Sequence, residues 1–192
     1  ELIIPKRGID PDIKEHDPFK FYGIKRTFQI TQLDSFDFIA WGKGWMSKFI
    51  FWIQQLSFGR SAKKYLKNKP GIIYSRDPFT LYTLLSTDFK LYWEAHNFPN
   101  NISKNFYKKI LKKIDGLIVI TNGLKQKFLQ FYPKEIIVAS DAVDVEEFNI
   151  DISREDARMQ AGLPQDKKIA MYVGHLYQWK GVDVLIGSAQ FL

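Results

Sequence analysis

Short apolar runs, set apart by polar and turn-rich stretches, give this chain its rhythm. Leu2-Ile3-Ile4, Ile72-Ile73-Tyr74-Ser75, Lys90-Leu91-Tyr92-Trp93, Leu117 to Thr121, Glu135 to Ala139 and Ile169 to Val173 have the length and the β-branched or aromatic character of buried strands. Phe28 to Leu33 alternates apolar and polar residues, which predicts a half-exposed edge strand. Between these runs the apolar period lengthens. Trp41, Trp45, Phe49, Trp52 and Leu56 recur at helical spacing, predicting one long helix over 41–69, or two shorter ones broken near Gly59. Asp77 before Pro78 is a capped helix start, with a helix running from Phe79 to Leu85. Ser103 is a plausible N-cap for a helix carrying Phe106, Tyr107, Ile110, Leu111 and Ile114 on one face. Further helices are expected from Asn122 to Tyr132, ended by Pro133, near Arg154 to Ala161, and from Val182 onward. This alternation of strand and helix predicts an α/β fold with a largely parallel, doubly wound sheet.

Composition narrows the chemistry. The 192 residues suit one domain or a little more, and the balance of 45% hydrophobic to 26% charged residues is that of a globular chain. With no cysteine, disulfides and thiolate metal sites are excluded, and a cytoplasmic setting fits. His16, His96 and His175 stand far apart in sequence, so no histidine-rich metal site is expected. No apolar run approaches the ~20 residues of a membrane span, and the start lacks the pattern of a signal peptide. The formal charge of +7 favours an anionic partner: nucleic acid, an anionic membrane face or a nucleotide sugar. No nucleic-acid-binding motif is recognisable, so nucleic acid is not expected.

Three stretches carry candidate chemistry. From Tyr172 to Gly181 a strand end, a loop with Gly174, Lys180 and Gly181, and a helix start bring backbone N–H groups and one full charge together, as a phosphate site would. An ordinary βα turn uses glycines in the same way. Glu94 and His96 stand at the C-terminal end of a predicted strand, where open α/β sheets place ligands; a locally satisfied loop pair is the plainer reading. Over 41–69 the tryptophans lie among Lys43, Lys48, Arg60, Lys63, Lys64, Lys67 and Lys69 with no acidic residue. The favoured reading packs the aromatic stripe on the sheet and leaves the lysines solvated. The same pattern suits an interfacial helix, making Trp41, Trp45, Lys48, Lys63 and Lys64 candidates for membrane contact.

Gly174-His175-Leu176-Tyr177-Gln178-Trp179-Lys180-Gly181, with Val182 to Ile186, resembles the Gly-[Arg/His]-Leu-x-x-x-Lys-Gly-x-x-x-Leu-Ile segment of family-4 (group 1) retaining glycosyltransferases. Those enzymes have the GT-B fold, with two Rossmann-like domains. The Glu-x-His of Glu94 and His96 recurs there too, and Val143-Asp144 with Phe148 resembles the family's Asn-Gly-Val-Asp-x-x-x-Phe segment, with Asp141-Ala142 replacing Asn-Gly. The resemblance implies that Gly174, His175, Lys180 and Gly181 hold the donor's diphosphate and that Lys180 stabilises it as it leaves. It implies that His96 approaches the sugar or acceptor hydroxyl and that Glu94 orients it. His175 stands where many members have arginine, and it cannot make arginine's two-pronged contact. No bound metal or other cofactor is implied. The partners would be a nucleoside-diphosphate sugar and a saccharide or lipid-linked acceptor, in glycan, polysaccharide or glycolipid synthesis.

On this resemblance residues 1–149 form the N-terminal, acceptor-side Rossmann-like domain without its first βα unit. Residues 150–192 form the linker and the first βα unit of the donor domain, so the chain is expected to be a fragment, cut at both ends. The family's downstream acidic pair is absent. Two other classes remain: a sugar epimerase or similar nucleotide-dependent enzyme on the same sheet, and a non-catalytic membrane-surface or interaction module using the Trp/Lys helix.

Overall fold

The computed structural model describes residues 1–6, 17–37, 45–69, 71–100, 105–132 and 134–191. They fall into two compact units, Glu1–Ala142 and Val143–Leu192. In the first, β1 (Leu2–Pro5) pairs in parallel with β2 (Ile30–Leu33), and the short helix α1 (Pro18–Phe21) lies between them in sequence. A second sheet holds β3 (Ile72–Ser75), β4 (Lys90–Ala95), β5 (Gly116–Val119) and β6 (Ile136–Val138), all parallel and in that spatial order. Parallel neighbours need crossovers. Helices α3 (Pro78–Leu84), α4 (Asn105–Lys113) and α5 (Asn122–Leu129) supply them, and α2 (Trp45–Leu66) leads into β3. The protein is therefore a Rossmann-like α/β structure with parallel sheets, as the alternation of elements predicts.

Residue parity decides what each sheet face carries. Register aligns Ile73 with Leu91, Ser75 with Trp93, Trp93 with Leu117, and Leu117 with Ile136, and the apolar members of this set are buried or partly buried under the crossover helices. Against them pack Leu81 and Leu84 of α3, Ile110 and Leu111 of α4, and Phe128 of α5. The Trp93 ring meets Phe128 edge-on at 5.6 Å and stacks on Tyr107 at 6.1 Å. The alternate positions, Tyr74, Tyr92, Glu94, Ile118 and Ile137, share the opposite face.

Helix starts follow local chemistry. Asp77 caps α3, its carboxylate accepting from Phe79 N at 3.2 Å and Thr80 N at 2.8 Å, with Pro78 at the first position. Thr121 caps α5 through Leu124 N at 3.1 Å. Ser103 lies outside the described residues.

One local expectation is settled in favour of the single long helix, and two change. Helix α2 runs unbroken through Gly59, which is there because α3 comes so close: a Cβ on Gly59 would stand 2.4 Å from Thr83 Oγ1. The aromatic stripe does not face the sheet where it is described. Phe49 is 63% and Trp52 55% exposed, whereas Gln54, Phe58, Ala62 and Leu66 form the buried side. Trp41 lies outside the described residues, as do the side chains of Trp45 and Lys48.

The other change lies in the second unit. Helices α6 (Val145–Phe148), α7 (Arg154–Gln160) and α8 (Val182–Ser188) form, with Ser153 capping α7 through Asp156 N at 3.0 Å. Ile169–Val173 is not a strand. A strand needs a neighbour's N–H and C=O groups, and among the described residues none stands beside it; Met171 and Val173 are left exposed. The predicted βα unit thus has its helix but not its strand.

Candidate functional site

The C-terminal edge of the four-stranded sheet brings Glu94 and His96 together. Residues two apart on an extended strand share a face. His96, one residue beyond β4, therefore folds back onto Glu94, with Nε2 2.6 Å from Oε1. The other carboxylate oxygen, Oε2, accepts from the Tyr74 hydroxyl and from Arg76 Nε at 3.2 Å. Tyr74 lies near the end of β3 and Arg76 just beyond it, on the same face as Glu94. Three side chains, on or just beyond two adjacent parallel strands, thus meet at the Glu94 carboxylate.

Glu94 is 6% exposed. Burial alone would raise its pKa, but hydrogen bonds from Tyr74, His96 and Arg76, with the guanidinium charge, outweigh it and hold the group at about 2, against 4.5 ordinarily. Tyr74 moves the other way, pushed up to about 12 by burial and then by its bond to the Glu94 carboxylate and that group's charge. An ionised carboxylate can only accept, so the proton between Glu94 and His96 belongs to Nε2. In the neutral ring Nδ1 is then the acceptor, and it makes no hydrogen bond among the described residues. That is the arrangement a hydroxyl-binding or proton-accepting histidine requires. Its side chain is 29% exposed and reachable from solvent.

Tyr74 and Arg76 were not legible as site residues, since each reads as part of a buried strand or its turn. The available signal was parity: positions 74 and 76 share a face with 94 and 96 once β3 and β4 pair in parallel.

In the second unit Gly174, His175, Lys180 and Gly181 lie in a single loop. Gly174 (φ 146°) and Gly181 (φ 69°) take backbone conformations that side chains disfavour. Gln178–Lys180 forms a 3-10 turn, and Gly181 leads directly into α8. Tyr172 donates its hydroxyl to the His175 carbonyl at 2.7 Å, and the His175 ring lies 5.3 Å from that of Tyr177. Lys180 Nζ sits 4.4 Å from the centre of the Trp179 ring, and the residue is exposed. Lys180 makes no ion pair among the described residues.

Among the described residues no group of three or more His, Asp or Glu could hold a metal ion, and no helix is long and apolar enough to cross a membrane.

The fold and the first-unit site together define an α/β protein with a titratable cluster at a parallel-sheet edge. Comparison with known proteins adds a direction. A segment of the chain is 32% identical over 84 residues to the D-inositol 3-phosphate glycosyltransferase of Corynebacterium aurimucosum, covering 41% of this chain and 20% of that relative. The match therefore spans about a fifth of the relative's length. It supports a glycosyltransferase relationship at the coarse level. No protein-family model matches the chain.

Proposed function

We propose that this chain is part of a retaining glycosyltransferase of the GT-B type, which moves a sugar from a nucleoside-diphosphate donor to an acceptor hydroxyl. The observation that carries the reading is the Glu94–His96 pair: an ionised, buried carboxylate fixes the histidine tautomer at the ligand-binding edge of a parallel sheet. The partial likeness to a glycosyltransferase supports the same class.

In this reading the His96 Nδ1 receives the acceptor hydroxyl or a sugar hydroxyl, and Glu94 keeps the ring oriented. Tyr74 and Arg76 keep Glu94 ionised and in place. Lys180 meets the diphosphate as it departs and gains charge, a preorganised electrostatic contribution to the transition state. Gly174 and Gly181 let the backbone approach the phosphates, with His175 beside them. The loop's two positive-φ glycines, and a Lys180 ammonium that forms no ion pair among the described residues, support that assignment.

The test is to incubate the full-length protein with a panel of nucleoside-diphosphate sugars and saccharide or lipid-linked acceptors. Acceptor-dependent release of the nucleoside diphosphate, and a product with the donor's anomeric configuration by NMR, are expected. An inverted product contradicts the retaining mechanism. Sugar turnover without transfer, or none with any donor, contradicts the class.

A further inference from the structure

Helix α2 presents a segregated outer face. At 100° per residue, Phe49, Trp52, Ile53, Arg60, Lys63 and Lys64 fall within a sector about 120° wide, and Lys67 follows in the turn after the helix. All are exposed, Trp52 while one side of its ring rests 5.2 Å from that of Phe79, and the buried Gln54, Phe58 and Ala62 point elsewhere. The sector is divided along its length. The apolar residues occupy its first half and the cations its second, over a helix path of about 23 Å from Phe49 to Lys64. No acidic residue occurs anywhere in α2.

The cationic end is also concave. Arg60, Lys63, Lys64, Lys67 and Lys69 line a cavity of about 780 Å³ with Asn68, Ser86, Thr87 and a single carboxylate, Asp88. Lys63 donates to Ser86 Oγ at 2.6 Å, and Lys69 lies 3.5 Å from the centre of the Tyr65 ring. None of the five forms an ion pair among the described residues. The helix dipole accounts for Lys63 and Lys64 in the last turn. It does not account for Arg60 a turn earlier, nor for three large apolar side chains exposed in line with the charges.

We infer that this face of α2 docks on the surface of an anionic lipid bilayer, with Phe49, Trp52 and Ile53 entering the interface and the cations of the cavity meeting phosphate headgroups. A soluble phosphate ligand would need only the cavity and would leave the apolar half without a role. Aromatic and aliphatic side chains beside lysines match the layered polarity of a bilayer surface. The inference is independent of the reaction the protein performs.

The experiment is vesicle co-sedimentation of the full chain, comparing phosphatidylcholine alone with phosphatidylcholine mixed with phosphatidylglycerol. The chain is expected to sediment with the anionic vesicles and to be released by high salt. Each basic residue near such a surface contributes about fivefold in affinity, so Lys63→Ala/Lys64→Ala/Lys67→Ala should weaken binding on the order of a hundredfold. The charge-matched Lys108→Ala/Lys109→Ala/Lys112→Ala on α4 should retain most of it. Phe49→Ser, at a position that does not build the core, should lower partitioning about tenfold. Circular dichroism verifies that each variant is folded. Equal loss in both triple variants, equal sedimentation with zwitterionic vesicles, or tighter capture by inorganic polyphosphate than by vesicles overturns the inference.

Discussion

Replacing Glu94 with glutamine keeps the shape of the side chain and removes its charge. In the native protein that carboxylate accepts from Tyr74, Arg76 and His96, and its pKa stands at about 2 rather than 4.5. One pKa unit corresponds to about 1.4 kcal/mol, so ionisation of Glu94 contributes about 3 kcal/mol to stability at neutral pH. Because the folded value lies below the unfolded one, the contribution is complete above about pH 4.5 and is lost as pH falls through about 2. Roughly 1 kcal/mol of it remains at pH 3. Glutamine does not titrate and resembles the protonated acid at every pH. Urea unfolding of both proteins, followed by tryptophan fluorescence, should therefore give a stability gap of about 3 kcal/mol at pH 7 that narrows to roughly 1 kcal/mol at pH 3. A gap that stays constant across that range, or is below about 0.5 kcal/mol at pH 7, refutes the idea that these partners hold a charged carboxylate.

The same network predicts that Tyr74→Phe, by removing one of the bonds that keep Glu94 ionised, raises the pH at which acid destabilises the fold. An NMR titration of the Glu94 carboxyl with an unmoved midpoint would contradict this. Gly59→Ala should destabilise by about 1–3 kcal/mol despite alanine's better helix propensity, because the new Cβ meets Thr83. The double variant Gly59→Ala/Thr83→Ala should recover most of the loss in urea midpoint, and failure to recover would show that the contact is not the cause. Lys180→Ala in the full-length protein should lower sugar transfer about 100-fold with an unchanged circular dichroism spectrum. Wild-type turnover would remove the lysine from the mechanism.

What could be read from the chain alone was what local physics decides. Ile72–Ser75 forms a strand with the predicted bounds, since four apolar or β-compatible residues between turn signals leave little alternative. Asp77-Pro78 starts a helix because a carboxylate cap and a fixed φ act within one turn. Glu94 and His96 were visible as a pair because they stand at the C-terminal end of an apolar run, where open α/β sheets place ligands, and match the Glu-x-His of the family resemblance. Tertiary partners were not visible. The Trp52 face looked like core by periodicity, yet α3 comes closest to α2 at Gly59, and Trp52 meets Phe79 of α3 at 5.2 Å while staying 55% exposed. Ile169–Val173 has strand composition but no neighbour to complete a ladder. Tyr74 and Arg76 became site residues only when parallel pairing laid β3 beside β4.

The central claim is that a histidine with its tautomer fixed by Glu94 takes part in sugar transfer, and His96→Ala tests it most directly. Acceptor-dependent release of nucleoside diphosphate should fall by about 100-fold or more, within the usual range for loss of a positioned acid–base group. The urea midpoint at pH 7 should fall only modestly, because the ring is partly exposed and outside the core and supplies one of several hydrogen bonds to Glu94. A folded His96→Ala protein that transfers sugar at the wild-type rate would contradict the account.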